Sequence, residues 1–478
     1  MKLYELISDI AIEEVTGDTI IDINSISIDS KKVKKGDLFI CIDGTKTDGH
    51  KFISQAIARG AIAIICSKPI EAESITVVKV SNTRKAYSLL SSKFYGNPSK
   101  YLNLISVTGT NGKTTTTYVL KTIFEKAGFK CGVIGTNGCV CDEFTEHLEL
   151  TTPDPFELNY LLKKMLSSGV KYVFFEASAH AIYLDKLIGI QAKAAIFTNI
   201  TQDHLDFFIT MNRYSQAKIS YFKHSYMKLG IINIDDPYGR MIIANKQIPY
   251  LTYGINNPSD VFAINYEMVK GGSHYIVNLF DEILEIKIPL YGIHNMYNVL
   301  GAMTVAKAMG IKGETIVAAL SEIKPIDGRF NVIEDKGRII IIDFAHSPDS
   351  LSNLIKSART MTKQRLITVF GCGGNRDKFK RPIMGEIAGT LSDYVVITTD
   401  NPRFEEAEDI ISEITEGIKK TNCEYNSIIL REEAIAYALK LAVDGDIVII
   451  AGKGAENYID CKGVKEPYSD KETVYKLL

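Results

Sequence analysis

Along the chain, short apolar runs of strand character alternate with longer stretches in which apolar residues recur at helical spacing, and turn-rich segments reset the pattern twice. Before the first reset, G-N-P-S-K at Gly96–Lys100, strands are predicted at Ile26–Ile28, Leu38–Ile42, Ala61–Cys66 and Ile75–Val80, with helices at Phe52–Arg59 and Arg84–Phe94. Between the first two strands, D-S-K-K-V-K-K-G-D-L-F (Asp29–Phe39) reads as a charged, solvated hairpin turn. From Leu104–Val107 onward, strands at Tyr172–Phe175, Ala194–Thr198 and Leu229–Ile234 alternate with helices at Phe156–Ser167, Tyr214–Phe222 and Met296–Met309, the last capped by Gly310. Val261–Leu290 interrupts that alternation; it is rich in β-branched residues, carries turn glycines at Gly271 and Gly272, and reads as an antiparallel addition. The second reset is K-P-I-D-G-R-F (Lys324–Phe330), after which strands at Ile339–Asp343, Leu366–Phe370, Tyr394–Thr398 and Ile447–Ala451 again alternate with helices. The expected fold class is α/β in three domains: a smaller α/β unit over 1–100, a central doubly wound, mostly parallel sheet with a P-loop over 101–327, and a Rossmann-like unit over 328–478.

Composition narrows the class without naming a chemistry. A length of 478 residues exceeds what one core serves, and 46% hydrophobic with 23% charged residues is the balance of a soluble globular protein. A net charge of −2 points to neither nucleic acid nor an anionic membrane as partner. The start, M-K-L-Y-E-L-I-S-D-I, lacks a signal-peptide core, and no apolar run approaches the ~20 residues of a membrane span. The eight cysteines are scattered without a C-x-x-C pair, so reduced thiols in a cytoplasm are expected rather than disulfides or zinc.

The stretch with the clearest chemistry is L-I-S-V-T-G-T-N-G-K-T-T-T-T (Leu104–Thr117). A strand, a loop with Gly109 and Gly112, then Lys113-Thr114 at a helix start is how a chain cradles a nucleoside triphosphate. Loop and helix amides face the phosphates, the lysine neutralises them, and the threonine hydroxyl can hold Mg²⁺. Val107 stands where the strict pattern has glycine, so on these residues alone a Gly-rich turn opening an ordinary helix is the alternative.

Other candidates sit at strand ends, where open parallel sheets bind ligands. Glu176 ends one strand and His204 follows another, both expected on the edge of the phosphate loop and within reach of its Mg²⁺; a helix cap or a hydrogen-bonded core residue is the competing reading. Lys218, beside Ala217 and Ile219, reads as a surface lysine, and Asn295 as a helix cap. In the last third, four polar runs follow strands: Asp343–Pro348, Gly371–Asp377, Asp400–Arg403 and Gly452–Glu456. Arg376 and Arg403 suit bidentate capture of a carboxylate or phosphate, whereas Lys378 and Lys380 read as a solvated charge run.

Together these motifs resemble the Mur ligases, ATP-dependent enzymes that build the peptide of the bacterial wall precursor. T-G-T-N-G-K-T-T-T, T-N-I-T-Q-D-H-L-D, G-I-H-N-M-Y-N, Gly328-Arg329 and D-F-A-H-S-P-D-S-L follow in the family's order over essentially the whole chain. D-S-K-K-V-K-K-G-D-L-F and D-N-P-R resemble the members that add the third residue to UDP-N-acetylmuramoyl-L-alanyl-D-glutamate, in the meso-diaminopimelate-adding form.

The resemblance implies ATP and two Mg²⁺ ions as cofactors. Gly109, Thr110, Asn111, Gly112, Lys113 and Thr114 would bind the ATP phosphates, with Asn295, Arg329, Asp343 and His346 facing the nucleotide. Thr114, Glu176 and His204 would lie at the metals with Lys218, which matches a lysine the family carbamylates with CO₂. Lys113, Glu176, His204 and Lys218 would carry catalysis. Ser30, Thr151, Thr152, Ser178 and Lys186 match the UDP-sugar peptide site, and Arg376, Asp400, Asn401, Pro402, Arg403, Gly452 and Glu456 the pocket for the incoming amino acid. Implied partners are the UDP-N-acetylmuramoyl dipeptide and meso-diaminopimelate, with no nucleic acid, no membrane insertion and a monomer expected. Three departures bear on these sites: Ala455 replaces the histidine of the family's G-K-G-H-E, Lys186 and Leu184 replace an arginine and a glutamine, and Ala407 replaces a proline. Alternatives left open are L-lysine or another diamino acid as third residue, a folate or other peptide as acceptor, and a non-catalytic ATP-binding paralogue.

Overall fold

The computed structural model describes residues 1–44, 47–70, 75–223, 225–245, 247–269 and 271–478. Among these residues three large sheets follow one another. The first orders its strands Glu14–Thr16, Thr76–Lys79, Ala61–Cys66, Asp37–Ile40, Ile26–Ser27, all parallel except the first. The second has 11 strands. Its parallel centre runs Tyr250–Gly254, Gly230–Asn233, Ala194–Phe197, Asn103–Thr108, Tyr172–Glu176, Cys131–Gly135. The third runs Asn331–Asp335, Arg338–Asp343, Ile447–Ala451, Leu366–Phe370, Tyr394–Ile397, Glu424–Ser427, parallel apart from its first pair. Among the described residues, no helix is long and apolar enough to cross a membrane. All eight cysteines are free.

The alternation of apolar runs predicts the α/β class correctly, and the antiparallel addition is present: Val261–Val269, Gly272–Leu279 and Glu282–Ile288 extend the central sheet at one edge. Lys270, inside that predicted stretch, lies outside the described residues. At the other edge Gly138–Cys141 and Phe144–Glu146 form a second antiparallel extension that the sequence pattern did not signal, because the apolar run Cys139–Cys141 is only three residues long and Phe144–Glu146 has no alternation.

The Asp29–Phe39 hairpin does not exist. Ile26–Ser27 pairs in parallel with the strand Asp37–Ile40, so the stretch is a crossover, and Ser30, Val33 and Asp37 within it are buried. Its four lysines are exposed as expected, while the Lys34 backbone N–H donates to the Asp37 carboxylate at 2.8 Å.

Two helices brace the central site. Lys113–Lys126 buries Val119, Leu120, Ile123 and Phe124, worth roughly 1.5–3 kcal/mol each for the larger side chains. It packs on Ile293–Ala308, whose Met296, Val299, Leu300 and Met303 are buried. Gly310 ends the latter at φ +88°, with Ile311 N–H donating to Ala306 O at 3.0 Å.

Candidate active site

Strand Asn103–Thr108 lies between Ala194–Phe197 and Tyr172–Glu176, with Thr108 opposite Phe197 and Val107 opposite Glu176. Whatever follows these strands therefore meets at one sheet edge. The loop Gly109–Gly112 is shaped by that crowding: a Cβ on Gly109 would lie 1.8 Å from Thr198 Oγ1, and one on Gly112, at φ +87°, 2.1 Å from Asn298 Oδ1. Asn199 clamps the loop from the side, accepting Thr110 N–H on its carbonyl (2.8 Å) and Asn111 N–H on its side chain (2.9 Å). Lys113 Nζ donates to Gly109 O and Thr110 O at 3.0 and 2.8 Å.

Glu176, 1% exposed, accepts Thr114 Oγ1–H and Thr136 N–H on Oε1, each at 2.9 Å, and Thr136 Oγ1–H on Oε2 at 3.2 Å. Gly135 leaves room for it, since a Cβ there would stand 2.2 Å from Oε1. Lys218 is no surface lysine: it is 1% exposed, donates to Gly109 O at 2.7 Å, and has its amine pKa lowered by burial and then by Lys113. His204 sits at φ +57° with its ring edge-on to His180. Burial, aided by His180, Lys218 and Lys113, pushes its imidazole down to about 3 against the pull of Asp203. Burial also raises the Asp203 carboxyl, but His204, Lys380 and His346 outweigh that and hold it below its usual range.

The third sheet faces this edge with the ends of its own strands. Arg329 Nη2 donates to Thr114 Oγ1 at 3.0 Å, and Asn111 Nδ2 donates to Asp349 Oδ2 at 2.8 Å. Gln202 Nε2 donates to Asp377 at 3.2 Å, and Arg376 stands 3.9 Å from Asp206. A single cavity of about 1140 Å³ runs between the two sheets, from Tyr297 and Asn295 past Lys113 and Glu176 to Asp400, Arg403 and Glu456. All four polar runs of the third sheet contribute to its wall.

Models of three domains match this chain: "Mur ligase family, catalytic domain" over residues 22–95, "Mur ligase middle domain" over 107–306, and "Mur ligase, glutamate ligase domain" over 328–454. The chain is 41% identical over 482 residues to a protein of Clostridium acetobutylicum named UDP-N-acetylmuramoyl-L-alanyl-D-glutamate--2,6-diaminopimelate ligase 1, covering 100% of this chain and 99% of that one. It belongs to the Mur ligase family. A solved structure of a ligase of the same name, 29% identical, superposes with TM-score 0.71 over 100% of this chain and 98% of the other. MurF of Thermotoga maritima, solved with ADP and 21% identical, shares the fold at TM-score 0.64 over 95% of this chain and 96% of its own.

Of the residues that the Mur ligase motifs single out, Ser30, Gly109 and Pro402 are not in the cavity wall, whereas Thr151, Thr152, Ser178 and Lys186 line it. Ser30 Oγ donates instead to Gln55 Oε1 at 2.7 Å within the first sheet's unit. Thr152 Oγ1 donates to Glu176 O at 2.7 Å, and Lys186 pairs with Asp154 at 2.6 Å. Asp343 accepts the N–H groups of Phe330 (2.8 Å) and Ala345 (2.7 Å), fixing the turn that carries Arg329. Gly452 stands against Asp400, to whose Oδ2 a Cβ would come within 2.6 Å.

Besides Lys218, two single residues differ from their expected places. Asn295 does not cap its helix, which begins at Ile293 behind Gly292; it is buried and donates to Tyr291 O at 2.8 Å. Lys380 is not solvated: it is buried, donating to His346 O at 2.8 Å, while Lys378 is exposed beside Glu405. Sequence reasoning also missed Lys453, wholly buried between the Asn401 and Glu456 side chains at 3.1 and 3.0 Å, and Thr136. Lys453 had one signal, a cation between two glycines in a strand-end run; Thr136 had none.

Proposed function

We propose that this chain joins meso-2,6-diaminopimelate to the γ-carboxylate of D-glutamate in UDP-N-acetylmuramoyl-L-alanyl-D-glutamate, cleaving ATP to ADP and phosphate. The carrying observation is the one cavity that opens a phosphate loop at one end and the Asp400–Arg403 run at the other. The names of the full-length relatives supply the two substrates.

With the Thr110 and Asn111 amides held by Asn199, the amides of Gly112, Lys113 and Thr114 at the helix start take the triphosphate, and Lys113, freed from its two loop carbonyls, follows the γ-phosphate. The donor set suits Mg²⁺: one hydroxyl and one carboxylate 2.9 Å apart, Thr114 and Glu176, is the small protein share that this ion takes beside phosphates and water. Glu176 shares its field with the Lys113 and Arg329 cations, and its carboxylate accepts hydrogen bonds from threonine donors alone. His204, held uncharged, would complete this end. A buried amine with a lowered pKa supports carbamylation of Lys218, because only the uncharged amine adds CO₂; the carbamate's oxygens would help hold a second ion. When bound, the two ions would offset the charge of phosphate and carboxylate.

Both reactants are anionic, so the first step needs the carboxylate aimed in line at the γ-phosphate with its charge countered. Thr151, Thr152, Ser178 and Lys186 would aim it from the cavity wall. The resulting acyl phosphate is open to water, and the Asn111–Asp349 and Gln202–Asp377 bonds, which tie the second sheet's unit to the third's, would help keep water out. The uncharged amine of diaminopimelate then attacks the acyl carbon and phosphate leaves. Arg376 and Arg403 would hold its carboxylates, and Asp400 and Glu456 its distal ammonium. An amino acid without the distal carboxylate leaves the donors of Arg403 not used by Gly374 and Asp460 without an acceptor, which is the discrimination against lysine.

Phosphate release from ATP, measured with the UDP-linked dipeptide and each amino acid singly, tests this reading. Release with diaminopimelate is expected; release with lysine alone overturns the choice of amino acid, and release with neither overturns the ligase.

A further inference from the structure

Residues 458–467 form a two-stranded hairpin, Tyr458–Cys461 against Val464–Pro467, that belongs to none of the three large sheets. Its turn is Lys462-Gly463, both at positive φ (+52° and +83°), as a tight two-residue turn between right-twisted strands requires. The hairpin leans on the Asp400–Arg403 run rather than on the core. Arg403 N–H donates to Asp460 O at 2.9 Å, and Lys462 N–H returns to Arg403 O at 2.6 Å. Asp460 N–H donates to Asn401 Oδ1 at 2.9 Å.

These contacts answer a strain. Arg403 has φ +54°, a left-handed conformation that costs an L side chain on the order of 1 kcal/mol and persists only where its surroundings over-determine it. The side chain is braced as well: Nη1 donates to Gly374 O at 2.7 Å, and Nε stands 3.9 Å from Asp460 Oδ2. Asp460 Oδ1 meanwhile accepts Gly463 N–H at 3.2 Å, so one carboxylate ties the turn to the guanidinium. Asp460 is not in the cavity wall, whereas Arg403, Tyr458 and Lys465 are.

We infer that Asp460 is a positioning residue for amino-acid selection: through the hairpin it holds the Arg403 guanidinium in the one orientation that offers its free edge to a distal carboxylate. The inference rests on the diaminopimelate reading above. A guanidinium that swings still attracts an anion but loses the fixed fork that rewards a carboxylate over its absence.

The test is steady-state phosphate release by the full chain and its Asp460→Asn and Asp460→Ser variants. Asparagine and serine both keep an oxygen for the Gly463 amide, and neither presents a charge to Arg403. The expected result is a KM for diaminopimelate raised about tenfold and a preference over L-lysine reduced about tenfold, with the KM for ATP unchanged. A merely structural role would move all three together with the melting temperature. A wild-type preference for diaminopimelate that survives in both variants overturns this inference alone. A wild type without that preference overturns the reading on which it stands.

Discussion

Replacing Glu176 by glutamine separates charge from shape at the centre of the site. The carboxylate accepts three hydrogen bonds, from Thr114 Oγ1, Thr136 N and Thr136 Oγ1, and every donor is neutral. A glutamine oxygen in the Oε1 position keeps the first two, and its amide nitrogen can donate to Thr136 Oγ1 in place of the third. Bonds to a charged acceptor are roughly twice as strong as neutral ones, so the exchange forfeits about 1 kcal/mol at each of the three, a loss offset by no longer burying a charge at 1% exposure. Stability should stay within about 1 kcal/mol of wild type. Catalysis should not: an electrostatic partner of the transition state is worth about 2.7–4 kcal/mol, or about 10²–10³ in turnover. Phosphate release at saturating substrates and a thermal melt on the same preparations decide the matter. Turnover within about tenfold of wild type, in a protein that melts normally, refutes the assignment of Glu176 to the metal. Equal losses in both measurements would make Glu176 a structural residue.

Lys218→Met removes a buried amine whose pKa lies well below 10.5, so between that lowered value and 10.5 the unfolded wild type binds more protons and its stability rises with pH. In CO₂-free buffer the variant should therefore gain on wild type in melting temperature near pH 7, and that gain should shrink toward about pH 10 while ligase turnover stays low throughout; a gap independent of pH contradicts the burial argument. Asp349→Ala deletes the acceptor of the 2.8 Å bond from Asn111, and losing a bond of about 1.5–3 kcal/mol should loosen the two sheets' units and raise the radius of gyration in X-ray scattering; an unchanged profile counts against that contact as a closure latch. Gly112→Ala places a Cβ 2.1 Å from Asn298 Oδ1 at φ +87°, so ATP binding by calorimetry should be lost or fall at least about tenfold; retained affinity would show that the loop has another way to seat.

Strands that sit in the middle of sheets were legible because burial on both faces writes them as continuous apolar runs: Ala61–Cys66, Leu366–Phe370 and Ile447–Ala451 are predicted to the residue. Edge strands such as Glu14–Thr16 and Glu424–Ser427 were not, since exposed residues there carry no pattern. Site residues followed a similar division. Lys113 and Thr114 announce themselves by spacing, whereas Lys218 differs from a surface lysine only in what the fold packs over it, and nothing in Q-A-K-I-S-Y-F records that its amine ends on Gly109 O. The resemblance to a family supplied that role where the residues alone pointed the other way. Asp460 lies beyond both sources, because its partner, Arg403, is 57 positions earlier and the link runs through a turn rather than a motif.

The central claim is settled most directly by the mass of the product formed from ATP, Mg²⁺, the UDP-linked dipeptide and an equimolar mixture of meso-diaminopimelate and L-lysine. The account predicts the diaminopimelate tripeptide, with one phosphate released for each molecule formed. A lysine tripeptide as the main product, or an unchanged dipeptide in the presence of ATP turnover, would contradict it.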